Sequence, residues 1–175
     1  MTTPAPATFF QGGRWLSVAC LVGALWACDV QHIRELEEGV STEVDVRQRF
    51  GEPEAVWDGP EGVRVLEYNR QPAGHQNYMI SIGPDGKMVA LRQVLTPQNF
   101  ALIQPGMPME AVRRLLGRPM KVTPFELKRE IHHDWRYRDG PNAADAKVFT
   151  VVFDQDLHVL HTLSVADPDF QSGGR

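Results

Sequence analysis

Apolar positions along this chain follow two rhythms, one helical and one extended, and the order of the two is repeated. Val46 and Phe50 lie four apart in residues 42–50, with Ser41 or Thr42 placed to cap a helix and Gly51 and Pro53 placed to end it. Just ahead, residues 29–39 space Ile33 and Leu36 three apart and stop at Gly39, which predicts a first short helix. Three runs of period two follow. Residues 63–70 put Leu66 and Tyr68 on one face, and residues 77–82 alternate Tyr78, Ile80 and Ile82. The third, 87–95, is reached through the tight-turn pair Asp85-Gly86. The predicted order is α-α-β-β-β.

That order then returns. Thr96 caps and Pro97 opens a short helix over 97–103, and residues 108–116 form another with Val112, Leu115 and Leu116 on one side. Gly117 and Pro119 stop it. Predicted strands follow at 131–137 (Ile131, His133, Trp135 and Tyr137 in phase), 147–153 and 157–165. The matching landmarks are Gly39 with Gly106, Gly51 with Gly117, Pro53 with Pro119, Tyr68 with Tyr137, and Ile82 with Phe153, a period of 66–71 residues. This is too long for a solenoid. The expected fold is α+β: two tandem α-α-β-β-β modules, each with two short helices on a three-stranded antiparallel sheet. The expected boundaries are 28–95 and 96–166, with a disordered tail at 167–175. Each layer is too small to bury enough apolar surface alone, so the modules need one another.

The N-terminus departs from this pattern. Thirteen apolar or small residues, 15–27, follow the single charge of Arg14, too few to span a bilayer as a mature helix. That is the layout of a secretory signal peptide over 1–27. Leu25-Trp26-Ala27-Cys28 resembles a bacterial lipobox, with Cys28 as the lipidated residue; an uncleaved anchor helix or an ordinary signal cut are the alternatives. With Cys28 lipidated the mature chain keeps no second cysteine, so no disulfide forms and packing alone must hold it. A diacylglycerol and an amide-linked acyl chain, at about 0.8 kcal/mol per buried CH₂, would fix it to a membrane.

With 42% hydrophobic and 23% charged residues and a mean hydropathy of −0.30, the chain can build a core and is no polytopic membrane protein. The net charge is −4, unevenly spread: residues 29–100 hold 12 acids and 7 bases, residues 101–175 ten of each. Within 113–138, eight bases face three acids. This stretch reads as a solvated face, or as a contact for anionic headgroups or an acidic protein. An exported, net-acidic chain is a poor match for nucleic acid.

Catalytic and metal chemistry find little support. His132 and His133 are adjacent on a predicted strand and point to opposite faces, and so do His158 and His161, three apart. Neither pair gives the convergent spacing a metal needs. There is no Gly-x-Ser-x-Gly and no phosphate-cradling glycine loop, and Glu126 and Glu130 sit among Lys128 and Arg129 as an ordinary solvated stretch. No cofactor and no catalytic residue are expected.

The run Ile103-Gln104-Pro105-Gly106-Met107-Pro108 through Val112, Leu116, Gly117 and Pro119, followed by Thr123-Pro124-Phe125 and Trp135-Arg136-Tyr137, resembles the SmpA/OmlA (BamE-like) family of outer-membrane lipoproteins. The second repeat carries the likeness well and the first weakly. Pro108 stands where the family usually has Ser or Thr, and the first repeat's glycines lie 12 apart rather than 11. The tandem arrangement is also similar to that of a β-lactamase inhibitor protein. The resemblance implies a non-enzymatic envelope lipoprotein, an accessory or scaffold factor in β-barrel assembly that contacts subunits of that machinery and phosphatidylglycerol. It implies partner-binding positions at Ile103, Gly106, Met107, Pro124, Phe125, Trp135 and Tyr137, although Met107, Trp135 and Tyr137 are in phase with core residues. Arg113, Arg118 and Lys121 are the candidates for a headgroup. The outer membrane is the favoured location, and Asp29 after the lipidated cysteine also admits the inner membrane. The alternative is a free-standing periplasmic binding or inhibitor module.

Overall fold

The computed structural model describes residues 35–141 and 145–171. The expected signal peptide, Cys28, Asp29 and most of the helix predicted over 29–39 lie outside these residues. Residues 35–39 form turns rather than helix.

Helix α1 spans Glu43–Phe50, and its start is a capping box: Thr42 Oγ1 accepts from the Asp45 amide while the Asp45 carboxylate accepts from the Thr42 amide. Strand β1 (Ala55–Asp58) follows, then β2 (Arg64–Asn69), β3 (Asn77–Ile82) and β4 (Met88–Gln93), an antiparallel sheet in sequence order. The second half gives a one-turn helix α2 (Pro97–Phe100), α3 (Met109–Leu116), and strands β5 (Lys121–Phe125), β6 (Glu130–Arg138), β7 (Ala146–Phe153) and β8 (Val159–Ala166), again in order. A single turn, α4 (Pro168–Gln171), closes the described chain. No helix among the described residues is long and apolar enough to cross a membrane.

The fold is thus α+β, with four-stranded sheets where three strands were expected. The additional strands β1 and β5 are short outer strands that follow the Gly-x-Pro stops. The four-residue β1 falls between turn signals. Strand β5 contains Pro124, which reads as loop but is tolerated on an edge, where one side needs no amide. The tail also differs from expectation: Asp167 is buried and its amide donates to the Ala146 carbonyl at 3.0 Å.

Each module has its own core. Val46 and Phe50 of α1 meet Leu66, Tyr68, Tyr78, Ile80, Ile82 and Met88. Val112 and Leu116 of α3 meet Trp135, Tyr137, Phe149, Val151, Phe153 and Val159, with Phe100 stacked on Phe149 at 3.9 Å. Each fully buried aliphatic side chain contributes about 1.5–3 kcal/mol.

The repeated glycines now have a physical reason. Gly39 and Gly106 adopt φ of 81° and 84°, turning their amides onto the last hairpin strand. Gly39 donates to the Met88 carbonyl at 2.7 Å and Met88 donates back to Ser41 at 2.7 Å; Gly106 donates to Val159 at 2.7 Å and Val159 donates to Met107 at 2.9 Å. Both last hairpins slip register at matching places, Ser81/Ile82 and Val152/Phe153. The helix-ending carbonyls are also held alike: Tyr68 Oη donates to the Gly51 carbonyl at 3.1 Å and Trp135 Nε1 to the Gly117 carbonyl at 3.0 Å. The counterpart of Tyr68 is therefore Trp135, not Tyr137.

Gly51 and Gly117 sit at φ 82°, ψ −162° and φ 76°, ψ −173°, a region essentially reserved for glycine. A Cβ on Gly51 meets nothing, whereas one on Gly117 would lie 3.0 Å from Asn77 Nδ2. Gly51→Ala is expected to cost about 1–3 kcal/mol of backbone strain. Gly117→Ala should cost more, because it also displaces Asn77; matched urea denaturation of the two variants checks the order.

Candidate functional site

Two of the regions implied by the resemblance share one transverse row of the second sheet. Pro124 pairs with Ile131, Ile131 with Phe153 and Phe153 with Val159, which the Gly106–Met107 turn flanks. At a strand spacing of about 4.8 Å, the turn and Pro124 lie roughly 20 Å apart. Gly106, Pro124 and Phe125 are exposed and Met107 is half-buried against the core. Ile103, Trp135 and Tyr137 are buried in the core, and Trp135 and Tyr137 pair with Phe149 and Lys147, further along the sheet.

Beside Pro124 and Phe125 lies a shallow open hollow of about 90 Å³, bounded by Arg129–Ile131 and Gln155. Arg129 Nη2 donates to Gln155 Oε1 at 3.0 Å across one side. The Phe125 ring rests on His132 at 4.3 Å, and Lys128 Nζ lies 5.8 Å from its centroid. The His132 ring, bonded to Glu130 Oε2 at 2.9 Å, holds the Glu130 carboxyl below the usual range. Leu127 at the tip of this hairpin is wholly exposed. No periodic signal singled it out, because it occupies a one-turn 3₁₀ segment, Glu126–Lys128.

Two of the three headgroup candidates are committed elsewhere. Arg113 lies 3.7 Å from the buried Glu67 carboxylate and over the Trp57 ring, and Arg118 pairs with Glu54 at 2.6 Å. Both tie the second module to the first, while Lys121 stays exposed. The basic stretch is largely met by internal partners: Arg114 bonds Glu110, and Arg136 bonds Asp167 and Asp169.

The joint between modules is a continuous polar seam. Glu67 Oε1 accepts the Arg118 amide at 2.8 Å and Glu67 Oε2 accepts Trp57 Nε1 at 3.0 Å. Asn77 Nδ2 donates to the Leu116 carbonyl at 2.8 Å. The Gln71 side-chain amide acts as a strand would: it accepts the Arg136 amide at 3.1 Å and donates to the Arg136 carbonyl at 2.8 Å. Local sequence hides this seam, since Glu67 alternates with Leu66 and Tyr68 and reads as solvent-facing.

His132 and His133 take opposite faces as predicted, and His133 is buried against Phe153. Among the described residues no group of three or more His, Cys, Asp or Glu side chains is placed to hold a metal. Burial, then the charges of Arg138 and Arg136, push the buried His75 down to about 4. Burial likewise lowers His133. Both rings are neutral when folded and protonate more readily when unfolded.

Replacing Glu67 by Ala strands the Arg118 amide and the Arg113 guanidinium, with an expected loss of about 3 kcal/mol in chemical denaturation. Because the unfolded chain binds the extra protons, stability should fall as pH drops from about 6.5 toward about 4. The loss from His75 should reach about 3 kcal/mol, and His75→Gln should flatten that limb.

Residues 93–162 match the family model described as the outer membrane protein assembly factor BamE domain. No curated protein matches the chain. Among solved structures, a DUF4309 family protein from Bacillus subtilis is 25% identical, with 77% of this chain and 84% of that one covered and a TM-score of 0.30. A Streptococcus mutans protein assigned as a β-lactamase inhibitor protein is 9% identical, covering 78% and 94% at a TM-score of 0.32. At such TM-scores the likeness decides neither fold nor function. The match to the BamE domain model thus falls on the second module, residues 93–162, where the helix and strand motifs of the sequence carry the same resemblance.

Proposed function

We propose that this chain is a non-enzymatic envelope lipoprotein, held on the periplasmic face of a membrane by lipid on Cys28, that acts as an accessory or scaffold factor in β-barrel outer-membrane protein assembly. The observation that carries this reading is the match of the second module, residues 93–162, to the BamE domain model. The exposed end of that module supplies the contact. Phe125 and Leu127 present apolar surface beside Lys128, next to the hollow. The outer membrane is the proposed location. Phosphatidylglycerol contact falls first to Lys121 and Lys128, since Arg113 and Arg118 also pair across the joint.

Quantitative co-purification of the tagged chain from detergent-solubilised envelopes tests this, with Cys28→Ser as the unanchored control. Barrel-assembly subunits should enrich stoichiometrically with the wild type. Leu127→Asp should lower their yield about tenfold, the scale of a lost apolar anchor, with the unfolding midpoint unchanged. Their absence, with a single other periplasmic protein enriched instead, would identify a free-standing binding or inhibitor module.

A further inference from the structure

The two modules treat their last strands differently. Strand β4 is guarded: Glu38 Oε1 accepts the Leu91 amide at 2.9 Å and holds Arg92 Nη1 at 2.5 Å. By the repeat, Gly106 stands where Gly39 stands and Val159 where Met88 stands, so Pro105 replaces Glu38 and Thr162 replaces Leu91. Proline has no side-chain acceptor, and β8 has no guard beyond Val159 among the described residues.

Strand β8 is Val-Leu-His-Thr-Leu-Ser-Val-Ala, without a charge or proline of its own. Natural edges are usually blunted by such residues. Leu160, Leu163 and Val165 are 43%, 37% and 49% exposed. The Asp167 amide points inward to Ala146, and alternate residues of an antiparallel strand share a direction. Thr162, Ser164 and Ala166 therefore turn their backbone amides and carbonyls to the open edge.

Two fixed features bound that edge. The Gly106–Met107 turn occupies it at Val159, and at Asp167 the chain leaves the strand for Pro168. The open window is residues 160–166, and its midpoint is Leu163.

We propose that β8 pairs antiparallel with β8 of a second copy of this chain, about a two-fold axis at Leu163. This register matches the whole open window of each strand to that of the other while both turns remain in place. Thr162 of one copy then meets Ser164 of the other as a hydrogen-bonded pair, twice over. Leu163 faces Leu163 as a non-hydrogen-bonded pair, and His161 lies opposite Val165. No like charges are opposed. The two second-module sheets become one continuous sheet, and the exposed leucines are covered.

The test is sedimentation of the full chain in detergent, with two kinds of variant. The wild type should sediment as a dimer. Thr162→Pro removes an outward amide that the β7 ladder does not use, and should raise the dimer dissociation constant about tenfold or more. Register is read by oxidation in a Cys20→Ser, Cys28→Ser background. Leu163→Cys should yield a disulfide-linked dimer, since a non-hydrogen-bonded pair brings Cα atoms to about 4.5 Å. Val165→Cys should not. A monomer at every concentration, an undiminished Thr162→Pro dimer, or equal crosslinking at 163 and 165 would each overturn the proposal.

Discussion

The architecture turns on one corner, the three residues Leu116-Gly117-Arg118 at the end of α3. The Leu116 carbonyl takes a hydrogen bond from Asn77, Gly117 passes within contact distance of Asn77, and the Arg118 amide binds Glu67. Helix α3 therefore faces two ways: Val112 and Leu116 enter the second core, while Arg113 and Arg114 lie over Trp57 of the first sheet. A side chain at 117 would open this contact, and a residue other than glycine would strain the backbone. The helix-ending glycine is thus both a stop signal and the point where one module meets the other.

The uneven charge of the chain acquires a structural meaning here. Acids of the first module, Glu54 and Glu67, meet bases of the second, Arg118 and Arg113. Glu67 is fully buried, and its carboxylate is tolerable because an amide, an indole and a guanidinium all face it. Duplication supplied two similar bodies, and divergence gave them complementary edges. The first module keeps the Glu38 guard on β4, while the second has Pro105 in that place and leaves β8 open.

Periodicity made the repeat, the helices α1 to α3 and six of the eight strands readable, while the helix expected up to Gly39 is turn at its described end. Strand β3 was located to the residue, because Tyr78, Ile80 and Ile82 alternate without interruption. Strands β1 and β5 were invisible: one is four residues between turn signals, the other carries a proline that an edge permits. Burial of Trp135 and Tyr137 was legible from phase. The commitment of Arg113 and Arg118 to the joint was not, since their partners lie 46 to 64 residues away in sequence. The same holds for Glu67 and Gln71, whose partners come from another module and leave no local trace. Exposed Leu127 carried no period at all.

The central claim is that the two modules fold and act as one unit through this seam. Native-state amide hydrogen exchange tests it most directly, by comparing Leu66 and Ile80 in the first sheet with Phe149 and Val151 in the second. Equal opening free energies in the two sheets, falling together when Asn77 is replaced by Ala, are the predicted result. A first sheet that opens well before the second, with Asn77→Ala changing neither, would contradict the account.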